Sequence, residues 1–133
     1  MRVLLGALAL LSLAGCWTSP ITAEKADPIP AQRQYWVSSP SPSKLIVTRD
    51  TGLFGVGCNH RFYIDGVLAA EFASGEVGVF AVDPGRHILS VKPSASCGGG
   101  AVTEREVEVG QNSLVRRRLS VTPGGIDISP TGF

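Results

Sequence analysis

A chain of 133 residues, 44% hydrophobic and 17% charged, is long enough for one domain with its own core and too short for several. Its formal net charge of +1 argues against a nucleic-acid or anionic-surface partner recognised through bulk electrostatics. No apolar run reaches the length that spans a bilayer.

The chain opens with Arg2, an apolar stretch over residues 3–11, and then Leu13-Ala14-Gly15-Cys16. This order of charge, apolar run and small residues follows the secretory pattern, and the four residues resemble the lipobox of bacterial lipoproteins. The resemblance implies that residues 1–15 are a leader, that cleavage falls before Cys16, and that Cys16 carries a diacylglyceryl group on sulfur and an acyl chain on its amine. Such an anchor exceeds the two signals needed for stable attachment, so the body is expected to ride on a membrane. Trp17 stands where an Asp favours inner-membrane retention in Gram-negative lipoproteins, so the resemblance implies the outer membrane, facing the periplasm. Loss of the leader removes Arg2 and leaves eleven basic and eleven acidic residues.

With Cys16 consumed by lipid, Cys58 and Cys97 remain as an even pair in a disulfide-permissive compartment. A bridge would close a loop of about 40 residues, worth roughly 4 kcal/mol in the chain-entropy account. Two free thiols and a metal site built on Cys58-Asn59-His60 are the competing readings. The second lacks another compact ligand pair, so a disulfide is favoured, and no metal or cofactor is expected.

Residues 16–43 comprise the acylated Cys and a segment read as a flexible tether, with Pro20, Pro28, Pro30, Pro40 and Pro42 and no sustained periodicity. Tyr35-Trp36-Val37 is an apolar island within it, expected to dock on the domain as a first edge strand, with contact to a partner as the alternative. Residues 44–133 are the predicted domain. Strands are expected over 44–49, 61–65, 67–72, 76–82 and 86–92, with turns at Asp65-Gly66 and Asp83-Pro84-Gly85 that read as hairpins. A third hairpin is expected around Gly110-Gln111-Asn112. It would set Val109 opposite Ser113, Val107 opposite Val115, Glu106 opposite Arg116 and Glu104 opposite Arg118, because facing opposite charges select that register. In this reading Arg116-Arg117-Arg118 is an ion-paired strand whose alternate side chains point to opposite faces, so it is no basic patch.

The segment 62–66, with Phe-Tyr-Ile-Asp-Gly, and the segment 80–89, with Phe-Ala-Val-Asp-Pro-Gly-Arg-His-Ile-Leu, resemble PEGA-like surface domains and related bacterial lipoproteins. That resemblance implies a non-catalytic envelope module. The implied fold is all-β, a small antiparallel β-sandwich of about 7 strands, and the Cys58–Cys97 frame resembles the lipoprotein members.

Chemistry is sparsely signalled. Gly52-Leu53-Phe54-Gly55-Val56-Gly57-Cys58 has glycine spacing loosely like a phosphate loop, but lacks the Lys-Ser/Thr ending and a following helix. His87 shares a strand face with Leu89 and Val91 and reads as structural. His60 reads as exposed, and no nucleophile motif accompanies it, so no catalytic residue is assigned. A bridge would bring 52–60 and 94–100 together at one end, with Arg49, Asp50, Asn59 and His60 as the expected contact residues. The function expected is a lipid-anchored, non-enzymatic binding or structural module with an envelope protein as partner. The alternative is a periplasmic enzyme inhibitor or a small-ligand-binding protein.

Overall fold

The computed structural model describes residues 18–52 and 55–133; the leader, the motif ending in Cys16, and Trp17 lie outside the described residues, as do Leu53 and Phe54. Its strands are β1 (Asp27–Pro28), β2 (Lys44–Arg49), β3 (His60–Ile64), β4 (Val67–Phe72), β5 (Glu76–Ala81), β6 (Gly85–Pro93), β7 (Thr103–Val109), β8 (Leu114–Thr122) and β9 (Gly125–Pro130). They form a five-stranded sheet, ordered β1-β5-β2-β8-β9, and a four-stranded sheet, ordered β4-β3-β6-β7. The two pack against each other as the expected all-β sandwich, with about 9 strands in place of about 7. The additional strands are β1, in the segment read as tether, and β9, where Ile126 and Ile128 alternate with polar residues.

Period-two patterning explains the core. Leu45 and Val47 of β2, Phe62 and Ile64 of β3, Leu89 and Val91 of β6, and Val107 and Val109 of β7 all turn inward and are at most 2% exposed. Burying each such side chain contributes about 1.5–3 kcal/mol. Phe62 sits among the rings, edge-on to Phe72 at 5.6 Å and tilted against Phe80 at 5.5 Å. Gly78 makes room for this packing: a Cβ there would lie 2.7 Å from Phe80 Cζ and 3.0 Å from Ile29 Cδ1.

Only one of the three expected hairpins forms. Asp65 and Gly66 join β3 to β4 with φ of 50° and 78°, the pair of positive angles that a two-residue turn between twisted strands requires. At Asp83-Pro84-Gly85 the chain passes from β5 in one sheet to β6 in the other, and at 110–112 it passes back from β7 to β8. The expected register is therefore corrected. β7 pairs with β6, which puts Glu106 opposite Ile88 and Glu104 opposite Ser90. β8 runs parallel to β2, which puts Arg116 opposite Ile46 and Arg118 opposite Thr48. The charges find partners without the hairpin: Glu106 pairs with Arg86, Glu104 accepts from Ser90 Oγ at 3.1 Å, and Arg118 pairs with Asp50. Crossing between sheets also lets Val107, Val109 and Leu119 join one core.

The tether expected up to residue 43 is, from residue 18 onward, a strap packed on the sandwich. β1 pairs in parallel with β5, and Ile29 is 2% exposed within the core. The Arg33 guanidinium reaches the Glu76 carboxylate and donates to the Glu71 carbonyl at 2.9 Å, linking β5 of one sheet to β4 of the other. Where a bulge interrupts the β3–β4 register, the Ala69 carbonyl accepts from the amides of Tyr35 and Trp36, at 2.9 and 3.1 Å. Trp36 Nε1 then donates to the Ala81 carbonyl at 2.9 Å, so the island docks through Trp36 while Tyr35 and Val37 stay exposed. The domain boundary moves from residue 44 to residue 18. Prolines keep the strap extended, and the strap covers the β4 and β5 edges that would otherwise stand open.

If the strap belongs to the fold, Ile29→Ala should lower unfolding free energy by about 2–5 kcal/mol, the cost of a cavity at a buried isoleucine. Chemical denaturation measures this, and a detached tether would give no change.

Candidate functional site

The expected contact residues gather at one end of the sandwich, where β2 stops and the glycine-rich loops begin. Arg49 is the last residue of β2 and continues the inward series of Leu45 and Val47, so its side chain enters the space between the sheets and is 0% exposed. Asp50, one residue later, faces the other way. The two neighbours therefore fasten opposite sides of the same strand end.

Arg49 makes its bonds to backbone. Nη1 donates to the carbonyls of Cys58 at 2.6 Å and Phe72 at 2.8 Å, and Nη2 donates to the carbonyl of Gly55 at 2.8 Å. One planar cation thus holds the glycine loop and the end of β4. Burial lowers its pKa to about 10, Glu76 opposes the shift, and the guanidinium stays charged at neutral pH. Gly55 has φ of 71°, and a Cβ there would stand 2.9 Å from Arg49 Nη2, so both angle and proximity call for glycine. Cys58 and Cys97 stand at disulfide distance, with Cα atoms 5.6 Å apart, which ties this loop to the one at 94–100.

On the outer side, Asp50 is 4% exposed and accepts from four donors. Arg118 supplies Nε at 3.1 Å and Nη2 at 2.5 Å, Ser120 Oγ is at 3.1 Å, and Thr18 Oγ1 is at 2.5 Å. Ser19 completes the junction through paired backbone bonds with Thr51, at 2.7 and 2.9 Å. Thr18, Arg118 and Ser120 were not singled out in the sequence, which offers Arg118 a nearer apparent partner in Glu104.

His60 is 3% exposed, which corrects the expectation of an exposed side chain. It begins β3 on the inward side that Phe62 and Ile64 continue, and its Nδ1 has no hydrogen-bond partner among the described residues. Burial first, and then the neighbouring Arg49 cation, lower its pKa to about 4. A cavity of about 340 Å³ lies against it, walled by Pro93, Gly99, Gly100, Val121 and Ile126 among others. Asn59 is only half-buried, and its carbonyl accepts from the Ser94 amide at 3.1 Å, joining the two loops again. The structure therefore brings the four predicted residues to one end but corrects their role: Arg49 and Asp50 are buried fasteners, His60 is buried beside them, and these three are no exposed contact patch. Among the described residues no group of three His, Cys, Asp or Glu side chains is placed to hold a metal ion.

The far end has its own fastener. His87, structural as expected, sets Nδ1 2.6 Å from Asp65 Oδ2 and Nε2 2.6 Å from the Asp83 carbonyl. Two oxygen acceptors favour the doubly protonated ring. Burial works against the cation, but the Asp83 and Asp65 hydrogen bonds outweigh it and raise the His87 pKa.

No family model matches the chain, and no curated protein or solved structure does so at a significant level. The functional reading rests on the sequence motifs and on the geometry of the molecule itself.

Truncating Arg49 would leave buried carbonyls unpaired, so Arg49→Met should cost about 3 kcal/mol or more, and Arg49→Lys should recover little because an ammonium cannot reproduce the planar fork. Denaturant titration of both variants provides the check. A near-neutral Arg49→Lys would remove the fastening role.

The two histidines should act on stability in opposite pH windows. His60 has a folded pKa near 4 against 6.5 when unfolded, so its contribution is complete above pH 6.5 and is lost as pH falls towards 4. His87 has a raised folded pKa, so its contribution is present below the unfolded value and is lost as pH rises through the folded one. Thermal melts from pH 4 to 8 should show a shallower acid-side decline in His60→Gln than in the parent. An identical acid-side slope would contradict the assignment.

Proposed function

We propose that this protein is a lipid-anchored lipoprotein of the cell envelope, held at the outer membrane facing the periplasm, whose sandwich serves as a non-catalytic binding or structural module for an envelope protein. The observation that carries this reading is the position of Thr18. Two residues beyond Cys16 the chain is already bonded into the body through Asp50, so the lipobox-like motif falls at the junction between an apolar leader and a folded domain.

Other observations support the non-catalytic part. Arg49, Asp50 and His60 are occupied in closing one end of the fold or buried within it. The resemblance to PEGA-like domains points the same way. An oxidising compartment agrees with Cys58 and Cys97 at disulfide distance. The small-ligand alternative keeps one specific support, the cavity beside His60.

The test combines acylation with capture. Metabolic labelling with a fatty-acid analogue should mark the parent protein and leave Cys16→Ser unmarked, because the thiol is the lipid acceptor. Equal labelling of both would remove the lipoprotein reading. A photo-crosslinking residue at exposed Gln111, at the other end of the sandwich from His60, should yield a discrete adduct with an envelope protein. No adduct there, together with a bound small molecule recovered with the folded domain, would favour the ligand-binding alternative.

A further inference from the structure

The two ends of the sandwich differ in charge, and the chain enters at one of them. Among the described residues, the end that holds Arg49 is built from 51–52, 55–59, 73–75, 94–102 and 122–125, and these stretches contain no Asp, Glu, Lys or Arg. Of the charges adjoining it, Arg49, Asp50 and Glu76 are turned away from water at 0%, 4% and 7% exposure, while Asp27, whose amide donates to the Gly75 carbonyl, stands exposed at its margin. Small and apolar residues dominate it, and Val56 is 62% exposed. The opposite end carries Lys44, Asp65, Asp83 and Arg86.

Thr18 and Ser19 are fixed to Asp50 and Thr51, at a corner of the uncharged end. From Cys16 to Thr18 there are two peptide steps, which reach at most about 7 Å. A headgroup layer is roughly 5–8 Å thick, taking the difference between the hydrocarbon core and the whole bilayer. An acylated Cys16 therefore leaves no slack for the body to stand off from the membrane.

We propose that the uncharged end of the sandwich, formed by residues 51–52, 55–59, 73–75, 94–102 and 122–125, is a bilayer-contact surface that rests on the headgroup layer of the membrane holding the Cys16 lipid. This rests on the lipoprotein reading. Lying flat on the outer face of the five-stranded sheet is the other arrangement the short reach permits, and it would press Arg116, Glu24 and Lys44 onto the lipid. Charged groups resist leaving water, and the end-on pose brings fewer of them against the lipid, with Asp27 at its margin. In that pose the far end projects into solvent. The eight steps along β8 put it roughly 26 Å further out.

The experiment uses the full acylated protein in vesicles of phosphatidylethanolamine and phosphatidylglycerol containing nitroxide-labelled acyl chains. An environment-sensitive fluorophore is placed by Val56→Cys or, as an independent probe of the same end, Gly124→Cys. Val79→Cys reports on the sheet face and Gln111→Cys on the far end, and peptide mapping checks that Cys58 and Cys97 remain paired. The expected result is a blue-shifted emission and several-fold stronger quenching at positions 56 and 124 than at 79 and 111. Strongest quenching at position 79 would overturn the pose in favour of the flat arrangement, and equal weak quenching at all four would overturn contact altogether. In either case acyl labelling and flotation with the vesicles would show that the anchor itself stands. Absence of acyl label and of flotation would instead show failure of the lipoprotein reading, and the contact surface would fall with it.

Discussion

The structure depends on the buried guanidinium of Arg49. A sandwich of two sheets is open at both ends, and the loops that close this end are rich in glycine, with little side-chain surface to pack. Arg49 supplies what those loops lack. It crosses the gap from the five-stranded sheet, binds Phe72 at the end of β4, and gathers the Gly55 and Cys58 carbonyls. Burying a cation is costly, and the charge-assisted bonds from Nη1 and Nη2 to three carbonyls offset that cost although Nε has no partner among the described residues. Glu76, whose field raises the Arg49 pKa, is itself held by Arg33 of the strap. The end closure and the strap are thereby parts of one electrostatic arrangement, and the Cys58–Cys97 pair is positioned by it.

The strap solves a second problem of β proteins, the exposed strand edge. β5 and β4 belong to different sheets but lie on the same side of the molecule, and residues 27–36 run from one to the other. On β5 the strap adds the short strand β1, and on β4 it uses the spare carbonyl of the Ala69 bulge. A bulge leaves a residue out of the regular ladder, and here the strap takes up what the ladder leaves.

Legibility in the sequence was greatest where a single element decides the outcome. Strand positions followed from alternation, and the Asp65-Gly66 turn followed from the positive φ that these residues tolerate. Sheet membership was not legible, because Asp83-Pro84-Gly85 reverses the chain equally well into the neighbouring strand or into the facing sheet. The strap was hidden for a related reason. Proline-rich composition reports an extended backbone, and an extended backbone can be solvated or can lie along an edge. At the site, Arg49 and Asp50 were singled out for their place beside the glycine loop, yet their burial ran against the usual exposure of charged residues. The inward phase of Leu45 and Val47, continued to Arg49, was the available signal. Thr18 and Arg118 had no such signal, since their meeting at Asp50 joins segments from both ends of the chain.

The fasteners at the two ends are chemically unlike, and the difference follows from their surroundings. Arg49 is fully enclosed and bonds only to neutral carbonyls, so the loops it holds need no charge of their own. His87 is partly open, its side chain 13% exposed, and bonds to the Asp65 carboxylate and the Asp83 carbonyl, so one of the turns it holds must carry an acid. One end can therefore shed charge from its surface without losing rigidity, while the other is obliged to keep it. A body with one uncharged end and one charged end has a preferred direction at any boundary between lipid and water. The Thr18–Asp50 bond fixes the N-terminal side of the domain at the end whose loops carry no charge, which is why the proposed lipoprotein reading turns that end toward lipid.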